Sequence, residues 1–256
     1  MDKDTFVSAC ESLIDFPGVV GIMGGEPTIH PKFEELMHIF KEKIPQDIRR
    51  GLWTNGARYD QHKRIIEETF LKEYIVFNDH NPEVPDFHQP LLVASKDVVP
   101  DYTERKELID NCWIQKRWSA SITPKGAFFC EVAAAQDHLL NGPGGWKVEK
   151  DWWDKRPEEF QDQVEQYCHN CSACIPMHKV SAYEGYDYAS KSMMEKLEKL
   201  KTPRYQRGQV IEVKDELLCA SYEEAENVRP WEHRGLEARQ WADGELVEDA
   251  LTQQKN

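Results

Sequence analysis

Between Val19 and Pro31 a short apolar run breaks into two glycines, an acid and a proline: Val19-Val20-Gly21-Ile22-Met23-Gly24-Gly25-Glu26-Pro27-Thr28-Ile29-His30-Pro31. A continuous apolar run bounded by turn residues reads as a strand buried on both faces of a parallel sheet. Gly24 and Gly25 remove the side chains where something must approach the backbone closely. Pro27 stiffens the exit, and Pro31 suits the first turn of a following helix. Open parallel sheets bind ligands at the carboxyl ends of their strands, which is where this motif falls.

The flanking segments repeat the alternation. Asp4 is placed to cap a helix carrying Phe6, Val7, Cys10, Leu13 and Ile14 on one face, with Cys10 as a core residue, until Pro17-Gly18 stops it. Phe33, Leu36, Met37, Phe40 and Ile44 mark a second amphipathic helix. Gly51-Leu52-Trp53-Thr54-Asn55-Gly56 is a short strand stopped by a turn, followed by a helix with Ile65, Ile66 and Phe70. Tyr74-Ile75-Val76-Phe77 is a third strand, ending in the polar Asn78-Asp79-His80. Strands and helices alternating at this spacing predict βαβ units in a parallel sheet with right-handed crossovers. A Pro-rich connection bearing His88 then leads to Leu91-Leu92-Val93-Ala94, read as another strand, and to a helix from Asp101 to about Asn111.

The second informative stretch begins at Cys112. Five of the seven cysteines fall between residues 112 and 174. Met1-Asp2-Lys3-Asp4 is no signal peptide and no apolar run reaches membrane-spanning length, so a cytoplasmic location is expected and cysteines read as metal ligands rather than disulfides. Ser119–Ile122 and Ala127–Phe129, separated by Thr123-Pro124-Lys125-Gly126, predict a hairpin that brings Cys112 and Cys130 together. A helix near 157–167 then delivers Cys168-His169-Asn170-Cys171-Ser172-Ala173-Cys174. Thiolates two residues apart can turn onto one metal or one cluster edge. Trp152 and Trp153 are candidates for an apolar shell around such a site, or for ordinary core. Farther on, Met193, Met194, Leu197 and Leu200 predict a helix and Val210, Ile211 and Val213 a short strand.

Charge narrows the partners. Lys and Arg number 32 against 46 Asp and Glu, a net of −14, which argues against a nucleic-acid surface. Residues 215–256 hold 11 acids and 4 basic residues, 4 − 11 = −7, half of that excess in a tail that shows no convincing chemistry.

Several of these motifs carry a resemblance. Gly24-Gly25-Glu26-Pro27 is similar to the motif after the second strand of the radical S-adenosylmethionine (SAM) enzymes, where backbone and glutamate hold the amino group of SAM. Thr54-Asn55-Gly56 and Asn78, with His80, resemble the ends of that family's third and fourth strands, near SAM or substrate. The spacing C-x17-C followed by C-x2-C, with Gly126 and Cys130 as G-x3-C, resembles the auxiliary-cluster region called twitch, a shortened relative of SPASM. The resemblance covers about residues 1–178 and implies an α/β fold, a partial (β/α)6-type radical SAM barrel with a parallel sheet over 1–111 and a hairpin-plus-helix cluster region over 112–180; the residues beyond read as a helical, acidic, partly disordered extension over 181–256. It implies SAM contacts at Gly24, Gly25, Glu26, Pro27, Asn55 and Asn78. Cys112, Cys130, Cys168 and Cys171 would ligate one [4Fe–4S] cluster, with Cys174 a substitute for Cys171 or a spare. A four-cysteine zinc site is the alternative, because zinc accepts the same thiolates.

One defining motif is missing. The family's CxxxCxxC loop leaves one iron of its catalytic cluster open for SAM, yet 23 residues precede Gly24 and Cys10 is the sole cysteine among them. The expectation is therefore a radical SAM enzyme of the twitch type lacking that loop, truncated or completed by an upstream polypeptide. It would abstract hydrogen from a small-molecule or peptide substrate by a 5′-deoxyadenosyl radical, fed by an electron donor. A non-catalytic accessory protein with a structural zinc or iron–sulfur site is the second expectation.

Overall fold

Three short strands realise the parallel sheet that the alternation predicts. In the computed structural model, which describes residues 1–78, 87–117, 120–181, 183–221 and Glu224, β1 is Val20–Ile22, β2 Arg50–Thr54 and β3 Ile75–Phe77. They run parallel in the order β1-β2-β3, with Val20 opposite Arg50, Leu52 opposite Ile75 and Thr54 opposite Phe77. Asp79, His80 and nearly all of the acidic tail lie outside the described residues. Among the described residues this is an open sheet of three strands and not a closed barrel.

The chain divides into two compact units, one holding residues 1–78 and 147–154, the other 87–146 and 155–221. In the first, α1 is Lys3–Ser12, α2 Phe33–Lys43 and α3 Tyr59–Thr69. Their apolar stripes meet the sheet in one core of Phe6, Cys10, Val20, Leu36, Met37, Phe40, Leu52, Ile66 and neighbours. Each such side chain contributes about 1.5–3 kcal/mol by leaving water. Cys10 is 3% exposed, the core residue its periodicity predicts, and burial pushes its thiol up to about 12.

Two helix starts differ from expectation. Asp2, not Asp4, caps α1, accepting from the Thr5 N–H at 2.8 Å, because a cap must precede the first helical turn. Pro31 precedes α2, whose N-cap is Lys32; Pro27 instead opens a 3-10 turn over Pro27–Ile29. The opposite helix ends are held by two buried arginines at the entrance to β2. Arg49 donates to the carbonyls of Leu13, Ile14 and Phe16 after α1, and Arg50 to those of Ile44, Pro45 and Thr69 after α2 and α3. One Arg-Arg pair thus satisfies orphan carbonyls at the ends of three helices.

In the second unit β4 (Phe87–His88) pairs antiparallel with β7 (Val180–Ser181), and α4 (Ser95–Val98), α5 (Tyr102–Asp110) and α6 (Trp113–Arg117) follow β4. The predicted hairpin is β5 (Ser121–Thr123) and β6 (Gly126–Phe128), turning at Pro124-Lys125. Helix α7 (Glu131–Leu139), unforeseen in the sequence, follows at once, and α8 (Gln161–Tyr167) packs against it. Finally β8 (Asp187–Ala189) and β9 (Val210–Glu212) run parallel, joined through α9 (Lys191–Lys199) and α10 (Pro203–Gln206).

Leu91–Ala94 is not a strand. It makes a single bridge, Leu92 to Ala189, because the Ala94 N–H is taken by Ser190 Oγ and α4 begins at Ser95. Its apolar character is satisfied by burial alone, Val93 and Ala94 being fully covered. No helix among the described residues is long and apolar enough to cross a membrane.

Candidate metal centre and strand edge

Each cysteine of the second unit is delivered by a different local device. Cys112 follows the end of α5, its N–H donating to the Ile109 carbonyl at 3.0 Å. Cys130 leaves the hairpin and takes the N-cap position of α7. Cys168 opens a 3-10 turn that ends with the Cys171 N–H on the Cys168 carbonyl at 3.2 Å, the chain reversal that C-x2-C spacing predicts. All five sulfur residues, Cys112, Cys130, Cys168, Cys171 and Cys174, line one cavity, walled otherwise by apolar residues such as Ile109, Phe129 and Val132. Cys168 is half-buried and the other four are buried.

Burial raises these thiols. Cys130 and Cys168 are pushed well above the ordinary thiol range by desolvation, Cys171 is raised, and Cys174 is raised to about 12. Neighbouring cysteines add to the rise, since two thiolates repel in one apolar space. Backbone dipoles oppose it: the N–H groups of Ala133 and Val132 at the start of α7 favour charge on Cys130, and the Ala173 N–H lies 3.3 Å from Cys171 Sγ. Gln115 Nε2 approaches Cys168 Sγ at 3.8 Å.

These donors suit a soft metal or an iron–sulfur cluster: several thiols, apolar walls and N–H groups aimed at sulfur. Space is tight. The cavity measures ≈ 20 Å³, room for one water-sized body, so a four-iron cluster needs its walls to move outward. Among the described residues no group of three or more His, Cys, Asp or Glu is arranged to hold a metal ion. A tetrahedral zinc with Zn–S near 2.3 Å needs its sulfurs about 3.8 Å apart. Trp152 and Trp153 do not line it. They sit in the first unit, where their indole N–H groups donate to Ser12 Oγ and Ser12 O at 3.2 and 3.1 Å.

The carboxyl edge of the sheet gathers Glu26, Asn55 and Asn78. Gly24 and Gly25 have φ of 93° and 46°, and a Cβ at either would meet nothing within 4 Å. Their lack of a side chain serves the left-handed backbone and leaves it open to approach. Glu26 is occupied by its own chain. Its Oε1 accepts from the Thr28 N–H at 2.9 Å, Thr28 Oγ1 at 2.6 Å and Thr54 Oγ1 at 2.7 Å, and its Oε2 from the Asn55 N–H at 2.6 Å. Burial alone would raise this carboxyl; the donors from Thr28, Thr54 and Asn55 outweigh it and hold it below the usual range. Pro27 supplies the first position of the 3-10 turn that Glu26 caps. Asn55 folds its Oδ1 onto the Ala57 N–H at 2.9 Å, while the Asn78 N–H joins the edge by donating to the Thr54 carbonyl at 2.9 Å.

Comparison with known protein families and with curated protein sequences finds no match to this chain. For SAM, the open Gly24-Gly25 backbone fits close approach; Glu26 Oε1 is filled by three donors, while Oε2 takes one and keeps an acceptor site for an amino group. No thiol stands beside this edge among the described residues, Cys10 being the one cysteine of residues 1–78 and lying in the core. Sequence reasoning missed Gln115 and Gln136, polar members of the cavity wall. The run Glu131-Val132-Ala133-Ala134-Ala135-Gln136 is rich in strong helix formers, the signal that would have placed α7 and Gln136 with it.

Proposed function

We propose that this chain is an iron–sulfur protein of the radical SAM type, with an auxiliary [4Fe–4S] cluster held by Cys112, Cys130, Cys168 and Cys171. The observation that carries the reading is the meeting of all five downstream cysteines on one apolar cavity. Cys174, also on the cavity, serves as the spare thiol. When bound, the cluster supplies one-electron chemistry, passing electrons or anchoring a substrate of the radical reaction. The apolar walls limit water, the Ala173 N–H steadies charge on Cys171, and the first turn of α7 does so on Cys130.

A second reading, a non-catalytic accessory protein with a structural site, draws on the engaged Glu26 carboxylate and on the lack of thiols beside it. Zinc is the alternative metal: it accepts the same thiolates, and a cavity of ≈ 20 Å³ suits a single ion.

Iron, acid-labile sulfide and zinc per chain, measured after anaerobic reconstitution, test the proposal. About four irons with matching sulfide are expected, lost in Cys130→Ala and Cys171→Ala and kept in Cys174→Ala. About one zinc without sulfide refutes the cluster. Equilibrium dialysis against SAM separates the two readings: binding by the reconstituted chain supports the radical SAM type, and indifference supports the accessory protein.

A further inference from the structure

A second, larger recess adjoins the thiol cavity within the same unit. It measures ≈ 310 Å³, within the range of small-ligand sites, and lies between the end of α7, the α8–Cys168 turn and α9. Gln136 and Tyr167 line both spaces, so one layer of side chains separates them.

Its charge runs against the acidic chain. Lys196 and Lys199 stand three residues apart on α9, hence on one face. Neither forms an ion pair among the described residues, and Lys196 Nζ donates at 2.7 Å to the neutral Oδ1 of Asn170. Burial first, and Lys96 second, lower the Lys196 pKa against the pull of Asp97. The one carboxylate in the wall, Asp137, is already neutralised by Lys125 and accepts from Tyr167 Oη and the Gly144 N–H. Gln136 is 4% exposed; its Nε2 donates to the Asn170 carbonyl while its Oε1 is buried with no hydrogen-bond partner. An unmet buried acceptor on a residue of the same wall as two ammonium groups without an ion-pair partner suits a ligand that is anionic at one end and a donor at the other.

We propose that this recess binds a small organic anion, its carboxylate or phosphate held between Lys196 and Lys199 and an N–H or O–H of the same molecule donated to Gln136 Oε1. Such a ligand would lie one side chain away from the cysteines. The inference stands on the recess itself and holds whether or not the thiols carry iron.

Calorimetric titration of the full chain with phosphoserine, glutamate and inorganic phosphate tests it. The first two offer a phosphate or a carboxylate together with N–H donors, and the third the anion alone. Binding of phosphoserine or glutamate at about 1 mM or tighter is expected, and which of them binds identifies the anion. K196Q/K199Q should weaken it about tenfold or more, the scale of one charge-assisted hydrogen bond, whereas the matched pair K191Q/K201Q should not. Q136M should weaken the organic ligands and leave inorganic phosphate unchanged. No binding tighter than about 10 mM by either organic anion, or equal binding by K196Q/K199Q, overturns the proposal.

Discussion

Replacing Glu26 by alanine separates a carboxylate that builds the sheet edge from one that waits for a ligand. The side chain caps the 3-10 turn and ties the ends of β1 and β2 through Thr54 and Asn55. Loss of an acidic cap costs about 1 kcal/mol. Thr28 and Thr54, at 0% and 2% exposure, would also lose the acceptor for their hydroxyls, which costs about 1–3 kcal/mol for each hydroxyl left unpaired. Glu26 is half-buried at an edge that water can enter, so the lower part of that range applies and the total is about 2–4 kcal/mol. Glu26→Gln keeps Oε1 as an acceptor but turns a donor toward the Asn55 N–H, and should cost about 1–2 kcal/mol. Urea unfolding of both variants without ligand at pH 7 reads these numbers. The carboxyl lies below its ordinary range when folded, so its contribution is full at neutral pH and fades as pH falls through and below about 4. The gap between parent and Glu26→Gln should therefore shrink at pH 3. A Glu26→Ala protein within about 0.5 kcal/mol of the parent would refute the reasoning and return the carboxylate to the role of ligand holder.

Two further outcomes follow from the second unit. Lys125→Met should destabilise it by about 3 kcal/mol, because the Asp137 side chain is 1% exposed and its charge would be left without a cation; thermal unfolding at pH 7 checks this. Gly126→Ala should cost about 2–4 kcal/mol, since Gly126 holds φ 123° and its added Cβ would fall 2.5 Å from the Trp146 carbonyl oxygen; normal stability in denaturant would show that the 126–146 contact yields.

What the sequence made legible was whatever depends on short-range pattern. The stripes of α2 and α3 and the apolar runs of β1, β2 and β3 follow from periodicity and turn residues, and the structure places them within a residue or two. The hairpin was readable because Pro-Lys before Gly126 leaves the chain little choice. Leu91–Ala94 was misread because an apolar run of four reports burial and not pairing; the Ser190 hydroxyl that takes the Ala94 N–H is 96 residues away. The Arg49-Arg50 helix-end clamps escaped for the same reason, their carbonyl partners being scattered over residues 13–16, 44–45 and 69. The cysteine set was visible from spacing, but that one cavity takes all five, and that Gln136 divides it from a lysine-lined recess, depends on how α7, α8 and α9 pack.

Resemblance in residue type and availability of residues are different properties, and the two units differ in the second. A group can serve a ligand only with the valence its own fold leaves over. At the strand edge Glu26 Oε1 already takes three donors and Oε2 one, so what remains open is one acceptor site on Oε2, the backbone of Gly24 and Gly25 and the exposed side of the edge, where Met23 and Phe77 are each 53% exposed. A single carboxylate site can steady one ammonium group but does not by itself hold a metal. In the cysteine unit the balance is reversed. Four buried thiols and one half-buried thiol converge on an apolar space, where burial favours the neutral form and penalises a thiolate until a positive centre arrives. Binding of a cation by these thiols would couple loading to folding, and the groups this chain leaves free for such a cation lie in its second unit.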